Sequence, residues 1–199
     1  DKNKGEIKKK LQSNDLDWDS VVKVSTAHYV LPALYCNLAR SNFLKYLTDE
    51  LVEYMKYITN LNRERNKEII KQARELNSLL SVNKITPIFL KGTGNLLAGI
   101  YEDIAERMVG DIDFIFSKED YPKAIKIIKN FGYYEIEKKE YYDPDKNHFG
   151  RLKKETNIAA VEVHSKILNK KKYDCEFNYT FVEKNSQVIN ETVLLSYSN

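Results

Sequence analysis

Cysteine is scarce in this chain. The two thiols present, Cys36 and Cys175, lie far apart, with no CxxC pair and no Cys/His cluster. That argues against a zinc site and fits reduced thiols in a cytoplasmic protein. Also missing is any apolar stretch approaching the ~18 residues that a membrane span requires, so no membrane partner is expected. The first residues are charged and lack the apolar core of a signal peptide. A strong charge imbalance is absent too. The formal net charge of +3 is too small to argue for nucleic acid, and the short runs at Lys8 to Lys10 and Lys170 to Lys172 read as solvated surface.

What is present suits a globular protein. The composition is 42% hydrophobic and 31% charged over 199 residues, enough for one good core and a small helical subdomain. The chain starts at Asp1 rather than Met and stops at Tyr197-Ser198-Asn199 with no closing signal. The expectation is that the natural protein continues past one or both ends.

The first eighty or so residues read as helical. Asp17 is a candidate N-cap ahead of Trp18, Val21, Val22 and Val24, an apolar set at helical spacing, with His28 as a helix packing residue. Pro32 suits the first turn of a second helix carrying Leu34, Tyr35 and Leu38. A long third helix is expected from Thr48 or Asp49 towards Leu80. Its apolar stripe runs through Leu51, Met55, Ile58, Leu61, Ile69, Ala73, Leu76 and Leu80.

The texture then changes. Pro87-Ile88-Phe89-Leu90 reads as a buried strand entering a tight turn at Lys91-Gly92-Thr93-Gly94, with a helix over 95–101. Residues 110–116 read as a second strand, Ser117 as the cap of the next helix, and Gly132 as lying beyond its end. Strands are expected over 133–138, 149–153 and 158–164, the first two flanking a loop with Asp143-Pro144-Asp145; from Tyr173 onward the pattern is ambiguous. The fold class is therefore α+β: a helical N-terminal region over residues 1–83, packed on a small mixed-sheet domain over residues 84–199.

Three elements of that second region carry chemistry. Asp111 and Asp113 alternate with Ile112 on a strand, so both carboxylates project from one face. Two parallel carboxylates make an oxygen platform for Mg²⁺, which takes few protein ligands and keeps positions for phosphate oxygens; surface ion pairs on an edge strand are the alternative. Glu162 interrupts the apolar run Ala159-Ala160-Val161-Glu162-Val163-His164, where an unpartnered carboxylate is expensive. If this strand lies beside the Asp111 strand, a metal neutralises all three acids, and Glu162 is placed to orient or deprotonate an attacking hydroxyl.

The third element is Gly92-Thr93-Gly94, where glycines allow a close backbone approach to an anion and the following helix aims its positive end at it. Lys91 adds a charge and Thr93 a hydroxyl. A dinucleotide fingerprint is the rival reading, but Leu97 stands where its third glycine should be. Arg107 just before the acids is a candidate phosphate clamp or carboxylate partner. His164, on the same strand face as Glu162, and His148, in a polar loop, are candidate site neighbours.

Taken in order, Leu90-Lys91-Gly92, a helix, Arg107, Gly110-Asp111-Ile112-Asp113 and Val161-Glu162-Val163-His164 resemble the motif series of the uncharacterised nucleotidyltransferase family of the polymerase-β-type superfamily. The upstream Leu16-Asp17-Trp18-Asp19, Ala27-His28 and Leu34-Tyr35 are similar to that family's helical N-terminal region. The resemblance implies a small mixed sheet flanked by helices and a Mg²⁺- or Mn²⁺-dependent transfer of a nucleoside monophosphate from a nucleoside triphosphate, an EC 2.7.7 type activity. Asp111, Asp113 and Glu162 match the metal-binding acids, and Lys91, Gly92, Thr93 and Arg107 the nucleotide contacts. The interval between the glycines and the acids is longer than in the minimal superfamily motif. It resembles the spacing in lincosamide and aminoglycoside nucleotidyltransferases and in abortive-infection toxins. The implied acceptor is an unidentified hydroxyl-bearing molecule, a small one rather than tRNA or protein; a toxin acting on tRNA or protein, and a non-catalytic nucleotide-binding module, are the alternatives.

Overall fold

The computed structural model describes residues 2–13, 15–136, 149–168 and 177–195. The expected loop at Asp143-Pro144-Asp145, and with it His148 and Cys175, lies outside the described residues. The chain divides into two compact units, Asp1–Asn66 with Tyr101–Met108, and Lys67–Ile100 with Val109–Asn199. The fold class is α+β.

The first unit is helical: α1 (Lys2–Gln12), α2 (Trp18–Ala27), α3 (Leu31–Arg40) and the start of α4 (Asp49–Val82). Asp17 caps α2, accepting from the Ser20 amide at 3.1 Å and from its hydroxyl at 2.6 Å. Pro32 lies in the first turn of α3, where a missing N–H costs nothing. Leu11, Leu31, Leu38, Phe43 and Met55 form the core, with Trp18, Val22, Leu51 and Ile58 around them. Two apolar positions expected inside are not: Val24 and Leu61 are both more than half exposed. His28 is exposed as well, at the C-cap of α2.

The inward stripe of α4 instead runs Met55, Thr59, Asn62, Asn66, Ile69, Ala73, Leu76 and Leu80, alternating steps of four and three. Its polar middle has a physical cause. The segment 101–108 brings backbone carbonyls that need donors. Asn62 gives its amide to Ala105 O (2.7 Å) and Arg107 O (3.2 Å), and Asn66 to Ile104 O (2.6 Å) and Arg107 O (2.7 Å). Arg63 adds a forked pair to Asp103, through Nε at 3.1 Å and Nη2 at 2.6 Å. Truncating Asn66 to alanine takes the side-chain donor from Ile104 O and leaves Arg107 O with Asn62 alone, so urea unfolding should show a loss of about 1–3 kcal/mol.

The Arg63 hydrogen bond, opposed by burial and helped by the Ala105 amide, holds the Asp103 carboxyl below its ordinary value of 3.8. A carboxylate lowered in this way contributes stability that is complete above the ordinary value and fades as pH falls through the folded one. Acid titrations of the melting temperature should therefore be flatter below pH 4 in Asp103→Asn than in the parent chain.

The second unit holds the rest of α4 and a seven-stranded mixed sheet in the order β3-β4-β5-β2-β1-β7-β6. Its strands are β1 (Ile88–Phe89), β2 (Asp111–Ile115), β3 (Tyr134–Glu135), β4 (Leu152–Lys153), β5 (Ala160–His164), β6 (Ser186–Ile189) and β7 (Thr192–Leu195). Helices α5 (Lys91–Ala98), α6 (Tyr121–Asn130) and α7 (Tyr179–Lys184) complete it. Ile112, Phe114 and Ile115 are fully buried, so the centre of the sheet is covered on both faces. Phe89, Phe114 and Phe116 stack edge-to-face in series, with centroids 5.5 and 5.2 Å apart.

Three local expectations fail here. Ser117 does not cap α6; its hydroxyl accepts from the Asp120 amide in the turn before the helix. The glycines after β1 are not a loop but the first turns of α5, because Lys91 itself takes the left-handed backbone (φ 51°) that reverses the chain. Gly99, also left-handed, ends that helix short of Tyr101. The C-terminal segment is a hairpin. Asn190 and Glu191, both at positive φ, form its two-residue turn, and β7 extends the sheet parallel to β1.

Candidate active site

Every feature of the site begins at the junction of β2 and β5. These strands run parallel, with Asp111 opposite Ala160, Asp113 opposite Glu162 and Ile115 opposite His164. Paired residues share a face, so Asp111, Asp113, Glu162 and His164 all project to the same side of the sheet. The far half of that side is apolar: Ile88, Leu90 and Ile115 pack there with Val182 of α7. On the other flank β4 pairs antiparallel to β5 through Leu152 and Val161, which turns the preceding Arg151 towards the acids.

The frame around the strands is set by a few polar contacts. Gln72 of α4 clamps the entry to β5, donating to Ala159 O at 2.8 Å and accepting from Ala159 N at 3.1 Å. The Leu90 amide donates to Asp113 O at 2.9 Å, which pins the end of β1 beside β2. Thr93, fully buried, donates its hydroxyl to Asp111 O at 2.9 Å. A Cβ at Gly94 would stand 3.0 Å from Phe89 O, so a larger residue there would crowd the backbone of β1.

Within this frame the charges interlock. Lys91 Nζ lies 2.6 Å from Asp113 Oδ1, 3.7 Å from Glu162 Oε2 and 3.4 Å from His164 Nε2. His164 Nε2 is 2.8 Å from the same Asp113 oxygen. A carboxylate can only accept, so that contact puts the imidazole proton on Nε2. Arg151 pairs through Nη2 with Asp111 Oδ1 and through Nε with Glu162 Oε1 at 3.6 Å. Burial alone pushes the Asp113 carboxyl upward, but the hydrogen bonds and charges of His164 and Lys91 outweigh it and hold the group below its usual value. Asp113 is thus ionised in a nearly dry position, 6% exposed.

Asp113, Glu162 and His164 each offer a ligand atom, all within 4.8 Å of one another. Two carboxylates and an imidazole, with Asp111 adjacent on the same face, suit a divalent ion such as Mg²⁺ or Mn²⁺, the imidazole favouring the latter. The donor set therefore fits a metal.

The structure brings together Asp111, Asp113, Glu162, His164 and Lys91 on one sheet face, with Gly92 and Thr93 buried in the first turn of α5 behind them. Arg107 belongs to the helical unit, where its carbonyl accepts from Asn62 and Asn66 and its side chain is exposed. Arg151 went unseen in the sequence. Its signal was the period of two in Arg151-Leu152-Lys153, readable only once β4 is known to border β5. The dinucleotide alternative is excluded, because β1 and β2 are antiparallel whereas that motif joins parallel strands.

A family described as "Uncharacterised nucleotidyltransferase" has a sequence model that matches residues 14–198. The chain belongs to that family. No curated protein and no solved structure matches it. The acids of β2 and β5 lie within the matched span.

A metal held by this cluster in the folded state stabilises the fold, by an amount that grows with the logarithm of its concentration above the dissociation constant. At about a hundred times its dissociation constant a ligand adds about 2.7 kcal/mol, so Mn²⁺ should raise the melting temperature by several degrees. Thermal shift assays should show that rise in the parent chain and its absence in Glu162→Gln.

Proposed function

We propose that this nucleotidyltransferase-family chain moves a nucleoside monophosphate from a nucleoside triphosphate to the hydroxyl of a small acceptor, releasing pyrophosphate. The observation that carries the reading is the register of Glu162 opposite Asp113, with Asp111 one step away on the same face. Carboxylates concentrated in this way are costly unless their charge is used.

On this reading Asp111, Asp113 and Glu162 hold the divalent ion, which when bound supplies charge neutralisation for the triphosphate. His164 fixes the orientation of Asp113 through its 2.8 Å hydrogen bond. Lys91 takes phosphate oxygens as a mobile point charge, and Arg151 flanks the opposite side of the acids. Thr93 holds α5 against β2, with Gly92 buried beside it, so that Lys91 starts from a fixed backbone. The acceptor oxygen attacks the α-phosphorus, its proton passes to Glu162, and the bond to the bridging oxygen breaks as pyrophosphate leaves. Most of the rate gain then comes from positioning and charge stabilisation.

Pyrophosphate release, measured with each triphosphate against a panel of hydroxyl acceptors, tests this directly. Asp111→Ala and Asp113→Ala should each lower it by about 10³-fold or more while leaving the circular dichroism spectrum intact. Turnover retained by a folded double variant would sink the assignment.

A further inference from the structure

We infer, resting on the reading above, that Lys91 is a built-in counter-cation: its ammonium holds the metal's place and must leave before a divalent ion can bind. The atoms coincide. Asp113 Oδ1, Glu162 Oε2 and His164 Nε2, which the Lys91 ammonium meets at 2.6, 3.7 and 3.4 Å, belong to the three residues that cluster within metal-ligand distance. An ammonium and a divalent cation cannot share that space, because like charges so close in a half-dry site repel strongly.

The lysine is built to leave. Its side chain is 54% exposed, whereas those of Asp113 and His164 are 9% and 1% exposed. The backbone behind it is pinned by the Leu90 amide on Asp113 O, so only the flexible stem needs to move. Arg151 stays on the other flank with Asp111 and Glu162 Oε1, so the acids are never left wholly unneutralised. Once outside, the ammonium has lost its carboxylates and is available to a phosphate oxygen.

Linkage then fixes a thermodynamic consequence. A triphosphate that gives the departed lysine a new partner favours the open state, and so tightens metal binding; metal tightens the triphosphate by the same factor. Metal alone binds weakly, and metal with triphosphate binds cooperatively. The lysine thereby keeps the acids quiet until both ligands are present.

The test measures Mn²⁺ affinity by electron paramagnetic resonance on the whole chain, parent and Lys91→Met, with circular dichroism as the folding control. Methionine keeps the apolar stem and removes the charge. The folded variant should bind Mn²⁺ alone about tenfold more tightly than the parent. Adding a non-hydrolysable triphosphate should strengthen Mn²⁺ binding more in the parent than in the variant. Equal or weaker Mn²⁺ binding by a folded Lys91→Met overturns the counter-cation role and leaves the nucleotidyltransferase reading standing.

A second measurement needs no variant. Acetic anhydride labelling of Lys91, followed by mass spectrometry, should rise when Mn²⁺ saturates the parent chain. Unchanged labelling at saturation also overturns the proposal. Should neither chain bind Mn²⁺ even with triphosphate, the nucleotidyltransferase reading itself fails and the counter-cation role falls with it.

Discussion

Two strands set side by side with their carboxylates in register impose the constraint that shapes this half of the molecule. Asp113 and Glu162 are neighbours across a parallel ladder, and Asp111 is two residues along the same face. Left alone, the three charges would repel one another and loosen the strands that carry them. The fold answers with Lys91, Arg151 and the buried His164, brought from α5, the approach to β4, and β5 itself. Carboxylates gathered in this way, each met by a cation or an imidazole, are a costly arrangement that a core built for stability alone would avoid.

The same constraint explains details that look unrelated. Lys91, which reaches the acids, adopts a left-handed backbone, at some conformational cost for a side chain with a Cβ. Gly94 gives α5 room against the Phe89 backbone, and Thr93 ties the helix to β2 by bonding to Asp111 O. The Gln72 clamp on Ala159 sets where β5 begins. A slip of one residue there would carry Glu162 to the opposite face. Positioning of the acids is thus shared among α4, α5 and the two strands, with each contact buried and directional.

Much of this was legible in the sequence, and the reason differs from element to element. The N-cap at Asp17, Pro32 in the first turn of α3 and the start of α4 are local signals, decided within a few residues. The carboxylates of β2 and β5 were legible because a charge inside an apolar run is conspicuous. Their adjacency was a condition the sequence could state but not prove. What escaped depends on long-range pairing. Asn62 and Asn66 interrupt the apolar stripe of α4 to satisfy carbonyls some forty residues away. Arg151 acquires its meaning only from strand order. The final hairpin turns on Asn190-Glu191, which lacks the glycine that would have announced it.

The proposed chemistry needs an ion lying between Asp113 and Glu162. A crystal structure of the chain with Mn²⁺ and a non-hydrolysable triphosphate, recorded at the manganese absorption edge, examines that directly. The prediction is an anomalous peak within ligand distance of both carboxylates, beside the α-phosphate, with the Lys91 ammonium turned away from Asp113. A triphosphate bound elsewhere, with Lys91 still seated on Asp113 and no peak over β2 and β5, would contradict it.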